Sequence, residues 1–444
     1  MSRINGLILA LLVVSGACST DTPSERQQPI MPASTGVAGQ LAPPPMTGAS
    51  GAAAGAMAPS FGDSQLDGGV IPIRDSCADG GCKEPDTRVP DDDGFTVAEG
   101  DCDDFAPFTN PGAYDVPGDA IDEDCDGADA TSDECDDMLE LAESDPKVAA
   151  RAIELCAETT ATSKHWGVIS ARWTTPDGVG EPGSALMHGI LPSFGSAFAP
   201  RGGTRVLALS SGVARAPGQA GYTRNCSDEF PADSTEFPKG FEGTSSTCDV
   251  DDAATSVVDA IALELELRIP TNATALSFDS AFFTDEYPAY ICTPYNDFFQ
   301  AIVQPQRTGG TIDGNVLFDR DNNSVSVNNS FLGVCKPGQH GDKKFECPLG
   351  YEPLVGTGFE DCAFSLVSPD GSLFNRDDKY GASTGWLNTE FKVMPGEVIT
   401  LRFTIWDSAD SALDSLAIID HVQFRLRDAP PPPEKPMTLP VGPQ

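Results

Sequence analysis

The chain is poor in the residues that most catalysis and most anionic partners require. Its 444 residues include 4 histidines and 4 tryptophans, and 27 lysines and arginines stand against 67 aspartates and glutamates, a formal charge of −40. So acidic a balance excludes recognition of nucleic acid, and of anionic lipid headgroups through a basic patch. The histidines, His165, His188, His340 and His421, are scattered, and none of the 13 cysteines stands in a Cys-x-x-Cys pair, so zinc has no ligand set. No apolar run approaches the ~20 residues of a spanning helix. There is no His-Glu-x-x-His and no phosphate-cradling glycine loop. Asp420-His421 with a distant serine reads as structural, since a histidine within a strand seldom does chemistry. Carboxylates are so many that choosing one pair for glycoside hydrolysis carries no information. The expectation is a protein without catalytic activity.

What the chain has in excess is acid held close together. Between Asp91 and Asp129 stand 14 aspartates and glutamates, with no lysine or arginine among them. Two clusters enclose cysteines: Gly100-Asp101-Cys102-Asp103-Asp104 and Asp122-Glu123-Asp124-Cys125-Asp126-Gly127. Like charges so crowded need a neutralising partner, and a hard cation with an all-oxygen shell suits them, Ca2+ above all outside the cytosol. The candidate ligands are Asp91, Asp93, Asp101, Asp103, Asp104, Asp122, Asp124 and Asp126. The first cluster is no EF-hand loop, because Gly100 falls where the bidentate Glu belongs. The last comes closer: Asp122, Asp124, Asp126 and Gly127 fit positions one, three, five and six, and Asp133 the twelfth. No amphipathic helix precedes it, so it reads as a calcium-loop turn without the full hand. Copper lacks support, because no methionine or histidine lies in the segment. The alternative is a disulfide-closed acidic loop that binds no ion.

Arg3, the apolar run Leu7 to Val14 and the small residues Ser15-Gly16-Ala17 read as a signal peptide over residues 1–17. Ser15-Gly16-Ala17-Cys18 resembles a bacterial lipobox, with Ser15 where Leu is usual, which implies lipidation of Cys18; Ser19 after it implies the outer membrane. Residues 18–90 are rich in Pro, Gly, Ala, Ser and Thr and cannot bury enough apolar surface to fold, so they read as a disordered tether. Setting Cys18 aside leaves 12 cysteines, an even set that fits an exported, fully bridged protein. Neighbour pairing would give Cys77–Cys82, Cys102–Cys125, Cys135–Cys156, Cys226–Cys248, Cys292–Cys335 and Cys347–Cys362, although spacing does not fix connectivity. Residues 131–160 show helical spacing broken by Asp145-Pro146, a small helical hairpin stapled by Cys135 and Cys156.

Beyond it the period becomes two. Ile261, Leu263, Leu265, Leu267 and Ile269 alternate with charged residues, and Leu276 to Phe282, Ile399 to Ile405 and Val422 to Leu426 follow suit. Shorter candidates are 168–173, 205–209, 298–303, 316–318, 325–327 and 391–393. Many short alternating strands between Gly, Pro, Asp and Asn turns predict a mainly β protein, an antiparallel jelly-roll-like β-sandwich over residues 161–428. The Pro-rich tail, 429–444, is expected to leave the fold.

Asp91-Asp92-Asp93-Gly94-Phe95, Gly100 to Asp104, Asn110-Pro111-Gly112-Ala113 and Ile121 to Gly127 together resemble, over residues 91–130, a metal-binding motif of surface proteins from environmental bacteria. Members of that family often carry a further cysteine where Val116-Pro117-Gly118 stands, and often repeat the motif in tandem. Phe282-Phe283-Thr284-Asp285-Glu286-Tyr287-Pro288, Tyr295-Asn296-Asp297-Phe298-Phe299, Val325 to Asn329 and Asp407 to Ser415 resemble a choice-of-anchor L domain, a family attached to cell surfaces by various anchors. Glu286, Asn296, Asp297, Asp407 and Asp414 then fall at strand ends, where they could share a second Ca2+ or satisfy turn backbone. The expectation is a calcium-binding surface lipoprotein: a Ca2+-stiffened spacer displaying a sandwich for adhesion or envelope organisation. Its partners would be the membrane, through the lipid, and surface polysaccharide or envelope protein. The alternative is an anchored or secreted polysaccharide hydrolase using a carboxylate pair in the sandwich.

Overall fold

The alternation from Ile261 to Ile269 builds a long strand with one face in the core, and the same rule governs most of its neighbours. The computed structural model describes residues 91–442 apart from 133–134, 225–234, 239–240, 242–247, 249–255, 289, 306–313, 320, 329–330, 341–342, 361–380 and 428. Of the two units into which the chain divides, Met1–Asp75 and Ser76–Gln444, these residues all belong to the second. The signal peptide, Cys18, the tether, Asp133 and cysteines 77, 82, 226 and 362 lie outside the described residues.

The strands are β1 (Gly167–Thr174), β2 (His188–Leu191), β3 (Val206–Ser210), β4 (Val258–Arg268), β5 (Ala273–Thr284), β6 (Phe298–Gln304), β7 (Val325–Ser326), β8 (Gly338–His340), β9 (Lys343–Phe345), β10 (Ala382–Ser383), β11 (Leu387–Lys392), β12 (Val398–Asp407), β13 (Ser415–Leu426) and β14 (Met437–Pro440). One sheet has the order β1-β4-β12-β6-β7; the other has β14-β11-β5-β13-β3-β2, with β10 also paired to β5. Strand pairings are antiparallel throughout. The chain shuttles between sheets, from β4 to β5 to β6 and again from β11 to β12 to β13, which makes a sandwich.

Between the sheets lie Ile261, Leu263, Leu265, Leu267, Leu276, Phe278, Leu401 and Phe403, with Phe278 and Phe403 packed edge to face at 4.9 Å. The outer face of the first sheet is charged, and Glu264 on β4 is clasped by Arg172 of β1 and Arg402 of β12. The outer face of the second sheet is covered instead: Ala281, Phe283, Leu416 and Ile418 pack against Phe194, Phe198, Phe359 and Trp386. Its central strands are therefore buried on both sides.

The acidic segment is docked rather than free. Thr271 N donates to Gly112 O, Asn272 Nδ2 to Tyr114 O and Tyr114 N to Asn272 Oδ1, so the β4–β5 turn grips it. Phe95 is buried against Gly112, where a Cβ would come within 2.9 Å of its ring. Tyr114, Trp166 and Phe424 meet at 5.4 to 5.7 Å between centroids. The spacer expected from the sequence is thus a base fused to the sandwich.

Several expectations need correction. The first limb of the helical hairpin is a run of turns, because Asp136 turns inward to accept from Thr204 and Leu141 O accepts from Ile190 N. Among the described residues of this segment, Pro146–Arg151 alone is helical, capped by Asp145 on Lys147 N. Residues 316–318 form no strand; an isolated bridge ties Phe318 to Ser324. The tail returns as β14, an edge strand on β11, where the missing N–H of Pro440 is tolerated. Cys102–Cys125 and Cys135–Cys156 are bridged. Cys292, however, pairs with Cys248, not Cys335, and Cys335 pairs with Cys347 across the β8–β9 hairpin. The pairings Cys226–Cys248, Cys292–Cys335 and Cys347–Cys362 are therefore overturned, since fold rather than sequence order brings sulfurs together.

Phe403→Ala removes the ring that joins the two sheets and should cost about 3–5 kcal/mol. Denaturant unfolding should show the midpoint fall with little change in slope.

Candidate metal centres

The first acidic cluster folds into consecutive Asx turns. Asp91 Oδ1 accepts from Asp93 N (3.3 Å), Asp93 Oδ1 from Phe95 N (2.7 Å) and Asp101 Oδ1 from Asp103 N (3.0 Å). Gly94 and Gly100 permit the bends at φ 99° and 106°. Each carboxylate thereby spends one oxygen on an amide. The other oxygens, Oδ2 of Asp91, Asp93 and Asp101, are shielded from water and accept no well-formed hydrogen bond, although the Asn110 side chain lies close enough to Asp93 to favour its ionised form. The three residues can offer oxygens that lie within 4.8 Å of one another. Burial first, then the charge of Asp91 with Asp101 or Asp104, pushes Asp93 and Asp101 above the usual carboxylate range. Cys102–Cys125 closes the loop at 5.7 Å between Cα atoms, which leaves neither sulfur as a thiolate ligand. The donor set is all oxygen and fits a hard divalent cation. Asp103 is exposed, while Asp104 is half-buried beside Asp101.

The second cluster turns about Gly127, at φ 101°. Asp122 accepts from Asp126 N (3.0 Å) and Gly127 N (2.9 Å), and Asp124 Oδ1 from Asp126 N (3.1 Å). Asp126 is exposed and caps Ala128 N. The partner that completes this triad is Asp115, which stands in the sequence between the clusters, apart from both. It accepts from Glu123 N and Ala130 N and joins Asp122 and Asp124 within 4.8 Å. Burial and its neighbours lift Asp124, and burial lifts Glu123 to about 7. More of these oxygens are already engaged by amides than in the first triad.

Glu286, Asn296, Asp297, Asp407 and Asp414 come together at one end of the sandwich, each no more than 2% exposed. Asn296 Oδ1 accepts from Asn328 N, and Asp297 accepts from Ser408 N and Ser415 Oγ. Asp410, also near Glu286, adds to the negative field there.

A different acidic group flanks a cavity of about 230 Å3 between the docked base and β13. Its lining includes Tyr114, Glu154, Gly202, His421 and Phe424. Glu154 and His421 both take positive φ, 67° and 55°, and β13 bulges between Asp420 and Gln423. The bulge lets His421 N donate to Glu154 Oε2 (2.7 Å) while His421 Nδ1 reaches Asp279 Oδ2 (3.1 Å). Burial and the Asp420 charge push Glu154 up to about 9, and burial lifts Asp420 to about 7. Both carboxyls accept from one amide, His421 N, at 2.7 and 2.8 Å. Gly381-Ala382-Ser383-Thr384-Gly385 spells a nucleophile elbow, but Ser383 is fully buried in β10 and its Oγ accepts from Gly385 N.

A protein with a disulfide-closed acidic cassette docked on a two-sheet sandwich belongs among exported cell-surface proteins carrying a metal-binding motif, and comparison with known families agrees. A family model described as "Choice-of-anchor L domain" matches residues 199–425, just over half of the chain, and one described as "Putative metal-binding motif" matches residues 101–130. The chain belongs to the choice-of-anchor L domain family. Neither the curated proteins nor the solved structures give a significant match to it. Strands β1, β2 and β14, outside the matched region, are all edge strands.

The raised Glu154–Asp420 pair binds protons more tightly folded than unfolded. Its stabilisation is complete below the ordinary values of 4.5 and 3.8 and is lost as pH rises through about 7 and then about 9. Melting temperature in chelator should fall over that range, and Glu154→Gln should make the fall shallower.

Proposed function

We propose that the protein is a calcium-binding lipoprotein of the bacterial outer membrane or cell surface, whose sandwich serves adhesion or envelope organisation rather than catalysis. The observation that carries this reading is the set of buried Oδ2 atoms on Asp91, Asp93 and Asp101 that accept no well-formed hydrogen bond. Leaving one such acceptor unsatisfied costs about 1–3 kcal/mol, and the mutual repulsion of three adds to that. A hard cation relieves both at once, and Ca2+ is the hard cation that an exported protein meets in quantity. The ion-bearing loop abuts residues that hydrogen-bond the β4–β5 turn. Occupancy would therefore set how firmly the base grips the sandwich, a useful property where the folded part is displayed from a lipidated Cys18 on a long tether. Surface polysaccharide or an envelope protein is the expected partner of the displayed sandwich.

Calorimetric titration of Ca2+ into the full chain should release heat, and EDTA should lower the melting temperature. At a free Ca2+ of 100 times Kd the stabilisation is about 2.7 kcal/mol. Asp93→Asn with Asp101→Asn should weaken binding about 10-fold or more. No heat and no chelator effect would reject calcium, and heat with copper alone would reassign the ion. Product release from a glycan array would replace adhesion with hydrolysis.

A further inference from the structure

The twelve residues of β5 begin beside the docked base and end at the buried acids, about 40 Å away along the strand. At that far end five chain segments converge. β5 leads into Asp285-Glu286, Asn296-Asp297 leads into β6, β12 ends on Asp407, Asp414 precedes β13, and Ser211-Gly212 follows β3. Both sheets contribute. Asp297 links them by accepting from Ser408 N (3.3 Å) after β12 and from Ser415 Oγ (2.7 Å) on β13. Ser415 N in turn donates to Ser211 Oγ (2.9 Å). The Asp414 carboxylate occupies the space a side chain at 212 would need, since a Cβ on Gly212 would lie 1.8 Å from its Oδ2.

Within this frame Glu286 has no visible reason to be charged. It is 2% exposed, its Oε2 has no donor, and the ionisable groups acting on it are Asp297, Asp410, Asp285 and Asp414, all acidic. Ser408 Oγ, also buried, has no partner either and offers a neutral oxygen. Asp407 is next to Asp297, with Asp259 near enough to act on it. Burying Glu286 and Asp407 among other acids is among the costliest arrangements a fold can hold.

We infer that this end of the sandwich is a second cation site, separate from the cassette, in which Glu286 and its acidic neighbours hold a hard, oxygen-preferring divalent ion between the two sheets. Among the described residues, sets of three carboxylates within 4.8 Å occur at Asp91-Asp93-Asp101 and Asp115-Asp122-Asp124, and not at this end of the sandwich. The ion is therefore held by fewer carboxylates at once, with neutral oxygens such as Ser408 Oγ filling its shell. Its role is to tie β5, β13 and β3 to β6 and β12.

Two measurements on the full chain test this, with Ca2+ and Tb3+ as probes. Metal counting by native mass spectrometry should find that Glu286→Gln loses one tightly held Ca2+, whereas Asp93→Asn with Asp101→Asn keeps it and loses ions from the cassette. Tyr290, close enough to Glu286 and Asp410 to feel their charge, packs 5.2 Å from Tyr295. Tb3+ bound here should therefore emit on tyrosine excitation, and Tyr290→Phe with Tyr295→Phe should lose most of the emission retained by the cassette variant. A folded Glu286→Gln chain with an unchanged calcium count overturns the proposal. So does emission indifferent to the two tyrosines, which decides the matter if Glu286→Gln fails to fold. Loss of all calcium from the cassette variant overturns it too, yet leaves the cassette reading intact.

Discussion

The short turn from Ile269 to Asn272 organises the rest of the molecule. It carries the chain out of β4 in one sheet and into β5 in the other, so two long core strands, one from each sheet, meet at a common corner. Ile269 is buried between the sheets, while Thr271 and Asn272 bond outward to Gly112, Asn110 and Tyr114. One turn thus fixes the sheet-to-sheet crossing and the seat of the acidic base. Because β5 is twelve residues long, it also places the far acidic chamber at the other end of the same core.

Carboxylates at the two ends of the sandwich are held differently. In the cassette, backbone amides satisfy one oxygen of Asp91, Asp93 and Asp101 through turns that glycine makes possible and leave the second without a hydrogen bond, whereas at the far end neither oxygen of Asp407 has a hydrogen-bond partner. Where a base is within reach, the fold uses it: Arg201, His421 and Asn388 hold Asp279 below the usual range against the cost of burial. Glu264 similarly sits between two arginines. Against those paired acids, Asp93, Asp101 and Glu286 stand out because the charges that act on them are acidic.

Strands whose residues face a single core were the most legible in the sequence. β4 alternates because its outer face carries Glu264, clasped by two arginines, and the half-exposed Glu266 and Arg268, so period two survives along that stretch. β5 was harder: Leu276, Phe278 and Phe282 face one core while Ala281 and Phe283 face another, blurring the alternation. The cassette was legible because acid density is a local property. Asp115 was not, since only tertiary folding brings it to Asp122 and Asp124. Glu154 and Asp420 were equally hidden, being 266 residues apart and joined by a bulge that no local pattern announces. The tail misled because its prolines suggested an unfolded end, whereas the proline-free Met437-Thr438-Leu439 suffices for an edge strand.

The seat of the base has a mechanical corollary. By covalent order, tension applied from the N-terminal side would reach the sandwich first at β1, a border strand that could be peeled away one bond at a time. The grip of Thr271 and Asn272 diverts part of that load to β4 and β5, each flanked by strands on both sides. Stress then enters through the middle of both layers as shear spread over many bonds together, which is how a module pulled from one end resists being unzipped.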